Sequence, residues 1–292
     1  APRDGLYSRC SFKCKKPVQL GTNMALKTLK TKDNSLWQRL AQQRWLLPLI
    51  SIALFIGLWQ VLYLLLKLPT FILPSPAMVW NKFIEVLKNG MWWHNTSYTL
   101  LELSLGLFFG TAAAAILGYI LSKTPTLEKI LSPILVASQS VPVVAIAPLI
   151  IIWFGPGLFS KVLLCSLTVF FPVLVNVLVG MRQVSQDLRE LMNSFKASKG
   201  QILRYLEIPA SLPVLLGGLR VGATLSVIGA IVGELVGSDR GLGYLINLGR
   251  GQYDTALVFV AVFSLIFLAA ALYSIVLFLE RRALKWQTWQ NI

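Results

Sequence analysis

Histidine, cysteine and acidic residues are scarce in this 292-residue chain, which holds one, three and twelve of them. The single His94 follows Trp92 and Trp93 at the edge of an apolar run, so no Ser/His/Asp set can be assembled around it. Cys10 and Cys14 have three residues between them and neither a second pair nor a histidine nearby, which excludes a zinc-type ligand pattern. Cys165 lies inside an apolar run and reads as packing. No paired carboxylates are recognisable within the apolar runs. The phosphate-cradling pattern G-x-x-x-x-G-K-[ST] is missing as well, since Lys199 and Gly200 lack the preceding loop and the following hydroxyl. The chain therefore reads as a non-enzyme with no metal or cofactor of its own. No cleavable secretory signal is apparent either, because the first apolar run starts at Trp45 and is too long for a signal core.

Charged residues make up only 13% of the chain against 55% hydrophobic ones, and the mean hydropathy of +0.67 is far from that of a soluble domain. Six apolar runs stand out: Trp45 to Leu66, Thr96 to Ser122 with Glu102 inside, Ile130 to Phe154, Val162 to Met181, Ser211 to Gly237 with Arg220 and Glu234 inside, and Ala256 to Leu279. A bilayer core about 30 Å thick takes about 20 helical residues, so each run predicts one crossing. The expected fold is an all-α membrane protein with six transmembrane helices over 45–286, a polar loop at 182–210, and tails at 1–44 and 287–292. Met24, the first methionine, is the expected natural start. With the N-terminus inside, the inner segments from Lys27 onward carry 15 Lys and Arg and the outer ones six. That bias places both termini and the 182–210 loop in the cytoplasm. The net charge of +15 then follows from topology and attraction to anionic lipid, with no nucleic-acid partner required.

Two segments on the expected outer side have internal order. Ser75 suits an N-cap, Pro76 a first helical position and Gly90 a stop, and between them Val79, Phe83, Ile84 and Leu87 face one way. This predicts a short helix along the interface. The stretch from Gly237 to Thr255 is rich in glycine and polar groups but keeps Leu242, Leu245, Ile246 and Leu248, as a partly re-entrant segment or a docking surface would.

The polar loop itself is patterned. Leu188, Leu191, Met192 and Phe195 recur at i, i+3, i+4 and i+7, with Arg189, Glu190, Asn193 and Lys196 on the other side. Ala197, Ser198 and Gly200 interrupt the pattern. Ile202, Leu203 and Leu206 then begin a second apolar stripe, expected to stop at Pro209. Two short helices joined by a small-residue bend are predicted. The segment resembles the loop signature of bacterial ABC importer permeases, written E-A-A, three residues, Gly, nine residues, Ile-x-Leu-Pro. Glu190 takes the Glu position, Leu191 and Met192 the Ala positions, Lys196 the Gly position, Leu206 the Ile position, and Ile208 and Pro209 the closing pair. The bend falls either at Lys196 or at Gly200.

Further landmarks extend the resemblance over about residues 45–286. FILPSPAMVW near Phe71, ASQSVPVVAIAPLIIIWFGPG from Ala137, GELVGSDRGLGYLI from Gly233 and FLERRALKW from Phe278 are similar to the nitrate/taurine/sulfonate group of these permeases. The resemblance implies a subunit of the bacterial inner membrane that pairs with a second permease copy. Cytoplasmic ATPase subunits, which bind ATP and magnesium, would drive it, and an external binding protein would deliver solute. It implies ATPase coupling through Glu190, Leu191, Met192, Phe195, Lys196, Ala197, Ser198, Lys199, Gly200 and Pro209. The solute would be a vitamin precursor of hydroxymethylpyrimidine or riboflavin type, or a small anion such as nitrate, sulfonate, taurine or bicarbonate. An ion-coupled secondary transporter or channel is the alternative reading of the same apolar runs.

Polar residues near mid-span must face protein or water, because lipid leaves them unsatisfied. Ser138, Gln139, Ser140, Asn176, Thr224 and Ser226 are therefore candidates to line a path or to join helices by hydrogen bonds. Pro142 and Pro148 mark kinks, and Gly217, Gly218, Gly222, Gly229 and Gly233 predict close helix packing. Arg220 lies seven residues past Pro213, about 10 Å into the membrane, where an arginine costs about 2.5–3.5 kcal/mol. It must face the bundle or snorkel, in a structural or gating role or on an anionic solute. Glu102 and Glu234 fall in the outer third, placed to line a vestibule or to pair with Arg240 or Arg250.

Overall fold

Proline and glycine placement explains most of the helix boundaries. The computed structural model describes residues 46–285, so the 1–44 tail with Met24, Cys10 and Cys14, and the 287–292 tail, lie outside the described residues. Helix α1 is Leu46–Leu66. Ser75 caps α2, Pro76–Lys88, its Oγ accepting the Met78 amide at 3.2 Å with Pro76 just inside. Gly90, at φ +72, then turns the chain directly into α3, Met91–Lys123.

The third apolar run bends at Pro142, one of the two prolines where the sequence predicts a kink, and the bend is a full break. It forms α4, Pro125–Gln139, and α5, Val143–Phe154, bent by 95° at a break of three residues ending in Pro142. Proline has no amide to donate and pushes the preceding residue out of the helical region, so Val141 and Pro142 end one helix before the other starts. Pro148, by contrast, lies inside α5. Helix α6, Leu158–Arg182, follows Gly155 and Gly157.

The polar loop folds as α7, Gln186–Ser194, then α8, Lys199–Ile202, then a π turn, Leu203–Glu207, that runs directly into α9, Ile208–Val236. Pro209 therefore does not stop the second stripe, contrary to the sequence expectation. Its ring crowds the carbonyl four residues back, and the wider π turn immediately before it relieves that crowding while the chain stays helical. The chain closes with α10, Leu242–Gly251, and α11, Thr255–Ala283. Among the described residues, α3, α6, the α8–α9 rod and α11 are each long and apolar enough to cross a membrane, and the bent pair makes a fifth crossing if counted as one.

The bend between α7 and α8 falls at Lys196, not Gly200. Lys196 adopts φ +54, its amide bonds to the Asn193 carbonyl at 2.8 Å, and the Ala197 amide reaches back to Met192 at 3.1 Å. These two bonds form a Schellman stop, whose left-handed residue is ordinarily glycine. Gly200 sits inside α8, where Ser198 and Gln201 form a capping box. Lys196→Gly should therefore remove about 1 kcal/mol of backbone strain and raise the melting temperature of the purified chain. An unchanged or lower value would mean that the lysine side chain contributes more than its backbone costs.

From Trp59 onward the chain is one unit built around α6. On one side Gly106, Gly110 and Gly118 of α3 lie against Cys165, Ser166, Val169, Leu174 and Val177. On the other, Gly218, Gly222, Gly229 and Gly233 of α9 lie against Asn176, Val169, Val173, Cys165 and Lys161. Four of the five glycines singled out in α9 thus make close packing, while Gly217 faces open space. Cys165 is fully buried in this seam, as packing requires. A Cβ at Gly229 would sit 2.8 Å from the Cys165 Cα, which is backbone and cannot rotate away. Gly229→Val should destabilise the chain by about 1–3 kcal/mol or more, read as lost monodispersity and a lower melting temperature in detergent. Gly217→Val, tested alongside, should have little effect.

Helix α2 does more than lie along an interface. Val79 is buried with Ala256 and Val260 of α11, Val86 is buried as well, and the Lys82 ammonium pairs with Asp254 at 2.9 Å. That hydrogen bond holds the amine above its ordinary range. Trp92 donates to Ser264 Oγ at 2.8 Å, joining α3 to α11, and His94 is exposed.

Candidate functional site: a docking face and a buried ion cluster

Helix α7 carries an apolar stripe that nothing among the described residues covers. Leu188, Leu191 and Phe195 are 47%, 52% and 75% exposed, although their spacing is that of a buried helix face. Leu191, Met192 and Phe195 share that face around the Schellman stop. Glu190 is on the polar side, accepting from Gln186 at 3.2 Å. Lys196, Ser198, Lys199 and Gly200 are exposed and Ala197 half-buried, so the bend itself is presented outward. Pro209 lies past the π turn at the base of α9.

The mid-span candidates scatter. Ser138, half-buried, and Gln139 and Ser140, exposed, sit at the α4–α5 break, and Ser138 bonds back to Leu135 at 2.8 Å. Asn176 donates to the Pro172 carbonyl and packs its Cβ over Gly218. Ser226 is fully buried and bonds back to Ala223 within its own helix, while Thr224 is exposed two residues earlier. The two point in different directions from α9. Arg220 donates to Glu280 of α11, through Nε at 3.0 Å and through a second nitrogen, and lies 5.8 Å from the Tyr273 ring. Its charge is answered by α11.

At the far end of the bundle the structure assembles what the sequence reading held to be missing, a pair of carboxylates inside the membrane-spanning region. Glu102 of α3 and Glu234 of α9 are both fully buried and adjacent, with the ammonium of Lys161 of α6, itself fully buried, 3.5 Å from Glu102. Neither Arg240 nor Arg250 is their partner. Arg240 lies over Tyr98 and beside Asp239, and Arg250 is exposed. Lys161 also donates to Ser238 at 2.6 Å and lies 5.0 Å from the Tyr98 ring. Glu234 is held by Thr99 Oγ1 and the Gly243 amide, each at 2.6 Å, while Glu102 makes no hydrogen bond among the described residues and relies on Lys161. Tyr98 and Ser238 line a groove of ≈ 610 Å³ with Pro156, Gly157, Asp239 and Arg240.

The local sequence explains this cradle. Gly241, at φ +105, lies where any Cβ would run into the Glu234 carboxylate, and a Cβ at Gly243 would sit 2.7 Å from the Glu234 Cβ. The Gly241 and Leu242 amides bond to Asn95 and Thr99, both at 2.9 Å, so α10 is pinned to α3 as well as to α9. Sequence reasoning missed Lys161 because it stands at the start of an apolar run and looks like an interfacial lysine. Two intramembrane carboxylates in need of a cation were the signal that could have found it.

The described residues thus form a helical membrane protein with a broken span, a long central helix, α6, and a polar loop whose apolar face is exposed. The fold is that of a chain in the inward-facing MetNI methionine ABC transporter, at a TM-score of 0.55 and 19% identity over 65% of this chain and 94% of that one. Residues 106–285 match the family described as binding-protein-dependent transport system inner membrane component, and the chain belongs to that family. It is 44% identical to the riboflavin transport system permease protein RibX of Chloroflexus aurantiacus, over 82% of this chain and 89% of that protein. It is 32% identical to the formylaminopyrimidine transport permease protein ThiX of Halalkalibacterium halodurans, over 82% and 95%. With the taurine transport system permease protein TauC of Escherichia coli the figures are 30%, 74% and 81%.

Proposed function

We propose that this permease component of an ABC importer forms the solute path for a vitamin or vitamin precursor of riboflavin or pyrimidine type. The observation that carries the mechanism is the uncovered Leu188–Leu191–Phe195 face beside the left-handed Lys196, a rigid apolar knob at the tip of the polar loop. ATPase subunits that bind ATP and magnesium dock there from the cytoplasm, where both termini also lie. Their closure moves α7, and the spans rock so that the path opens outward to a solute-loaded binding protein and then inward. A second copy of the chain completes the path. The identity with RibX, 44% against 30% with TauC, supports the vitamin-type solute over a small anion.

The buried carboxylates favour one second reading, ion-coupled transport without an ATPase, because such residues often mark coupling sites. One experiment separates the two. The chain is purified with its native partners into lipid nanodiscs, ATP hydrolysis is measured, and the partners are identified by mass spectrometry. The importer reading expects no hydrolysis by the chain alone and hydrolysis in a complex containing a Walker-motif subunit. Uptake of labelled riboflavin and formylaminopyrimidine by vesicles carrying that complex then reads the solute. Solute movement driven by an ion gradient with no ATPase present would establish the rival.

A further inference from the structure

Glu207 occupies the variable position between Leu206 and Ile208 of the loop signature, yet its side chain is 1% exposed at a junction of three elements. Its Oε1 accepts a hydrogen bond from Lys123 at the end of α3 and lies 3.4 Å from Nε of Arg189 on α7. Arg189 in turn donates to the Met181 carbonyl at the end of α6, at 3.1 Å. Glu207 is also the last residue of the π turn that leads into α9. Its Oε2 has no hydrogen-bond partner among the described residues. One buried carboxylate thus answers two cations from two other elements, in the one stretch of the α8–α9 rod whose register departs from α-helical. Attraction is strong where the carboxylate is shielded from water, whereas in another ion pair near this end, Arg182 with Glu128, the arginine is 66% exposed and correspondingly screened.

We propose that Glu207 is a positioning residue that relays movement of the docking helix to the spans. The Lys123–Glu207–Arg189 clamp makes α7, the end of α3 and the base of α9 move as one body, and the π turn is where α9 yields. Removing the carboxylate lets α7 move without carrying α3, so that nucleotide turnover continues while the spans no longer follow. The inference rests on α7 being the docking element.

The test uses the ATPase-containing complex in nanodiscs with spin labels at Thr126→Cys and Asn193→Cys, both exposed positions on α4 and α7. Cys10 and Cys14 are changed to serine, and Cys165 is buried. In the otherwise native chain, pulsed-EPR distances between the labels should keep the same narrow distribution with and without ATP and vanadate. In Glu207→Gln the nucleotide state should shift or broaden it by about 2–5 Å, the range from a helix slide to a one-turn ratchet, while ATP hydrolysis persists. Lys123→Gln removes a partner that is 39% exposed and serves where Glu207→Gln fails to assemble. It should show the same change, and the double variant should show no more than either single one. Unchanged distances in both variants would overturn the proposal. So would loss of the copurified ATPase from both, which would make the clamp a fold contact only. Failure of the docking reading would show separately, as an ATPase that stays bound when the α7 face is made charged.

Discussion

Replacing Lys161 with methionine should lower the stability of the purified chain by about 3–5 kcal/mol, the range for removing one member of a buried ion pair. Lys161, Glu102 and Glu234 are all fully buried, so the substitution leaves two carboxylates shielded from water without their cation. Glu102 is the more exposed to that loss in energetic terms, because it has no hydrogen bond among the described residues, whereas Glu234 keeps Thr99 and the Gly243 amide. The loss should also reach beyond the cluster. Lys161 holds Ser238 at the start of the segment that leads to α10, and α10 packs Leu242 and Leu245 into the largest core cluster with Leu103, Cys165, Ala223 and Leu265. Thermal unfolding in detergent or nanodiscs reads the effect. A second variant decides its cause, because replacing both charges by apolar groups of similar size is often neutral or stabilising. Lys161→Met combined with Glu102→Leu should therefore recover much of the stability lost by Lys161→Met alone. Equal losses in the single and double variants would mean that the lysine acts through its packing against Tyr98, not through charge.

Apolar run length, proline position and glycine spacing made the helical architecture legible, because each acts locally or along one helix. The bounds of α2 and the α9 glycine face were written in short-range pattern, while the bend after α7 was narrowed only to Lys196 or Gly200. What was not legible depended on three-dimensional placement. Pro209 looked like a stop because sequence alone does not show a π turn opening the helix ahead of it. Pro142 was legible as a kink in the Ile130 to Phe154 run, but not the size of the bend, 95°, which depends on how the two halves pack. The pairing of Glu102 with Lys161, 59 positions apart, depends on α3 and α6 being pulled into contact by glycines on α3, and those glycines attract no attention until their neighbours are known. Arg220 was legible as a residue that must be satisfied, but its partner Glu280 was hidden in a terminal segment that reads equally well as a basic interfacial patch. The signature positions include exposed residues of the polar loop, Leu191 and Lys196 among them, and pass over the buried Glu207, whose position the signature leaves free.

Phe195→Asp should abolish coupled uptake while leaving membrane insertion and the fold of the isolated chain intact. Phe195 is 75% exposed, so the substitution removes almost no packing within the chain and leaves the Schellman stop to the backbone of Lys196 and Ala197. In a docked state the same ring would be at the centre of the interface, where truncating or charging an aromatic anchor typically costs about 2–4 kcal/mol. At about 1.4 kcal/mol per tenfold, docking should weaken by about 30- to 800-fold, enough to strip the ATPase from the complex during purification. Ala197→Arg, which adds a bulky charge at the bend, should act in the same direction. Leu191→Asp, on the same stripe and 52% exposed, should act likewise. Asn193→Asp, on the opposite side of α7, should not, which separates a specific face from a general charge effect. The measurements are the amount of chain in the membrane fraction, the ATPase recovered with it, and uptake. Full uptake with Phe195→Asp and Ala197→Arg, at normal membrane levels, would show that α7 is a solvated connector and would move the search for the ATPase contact to another part of the chain.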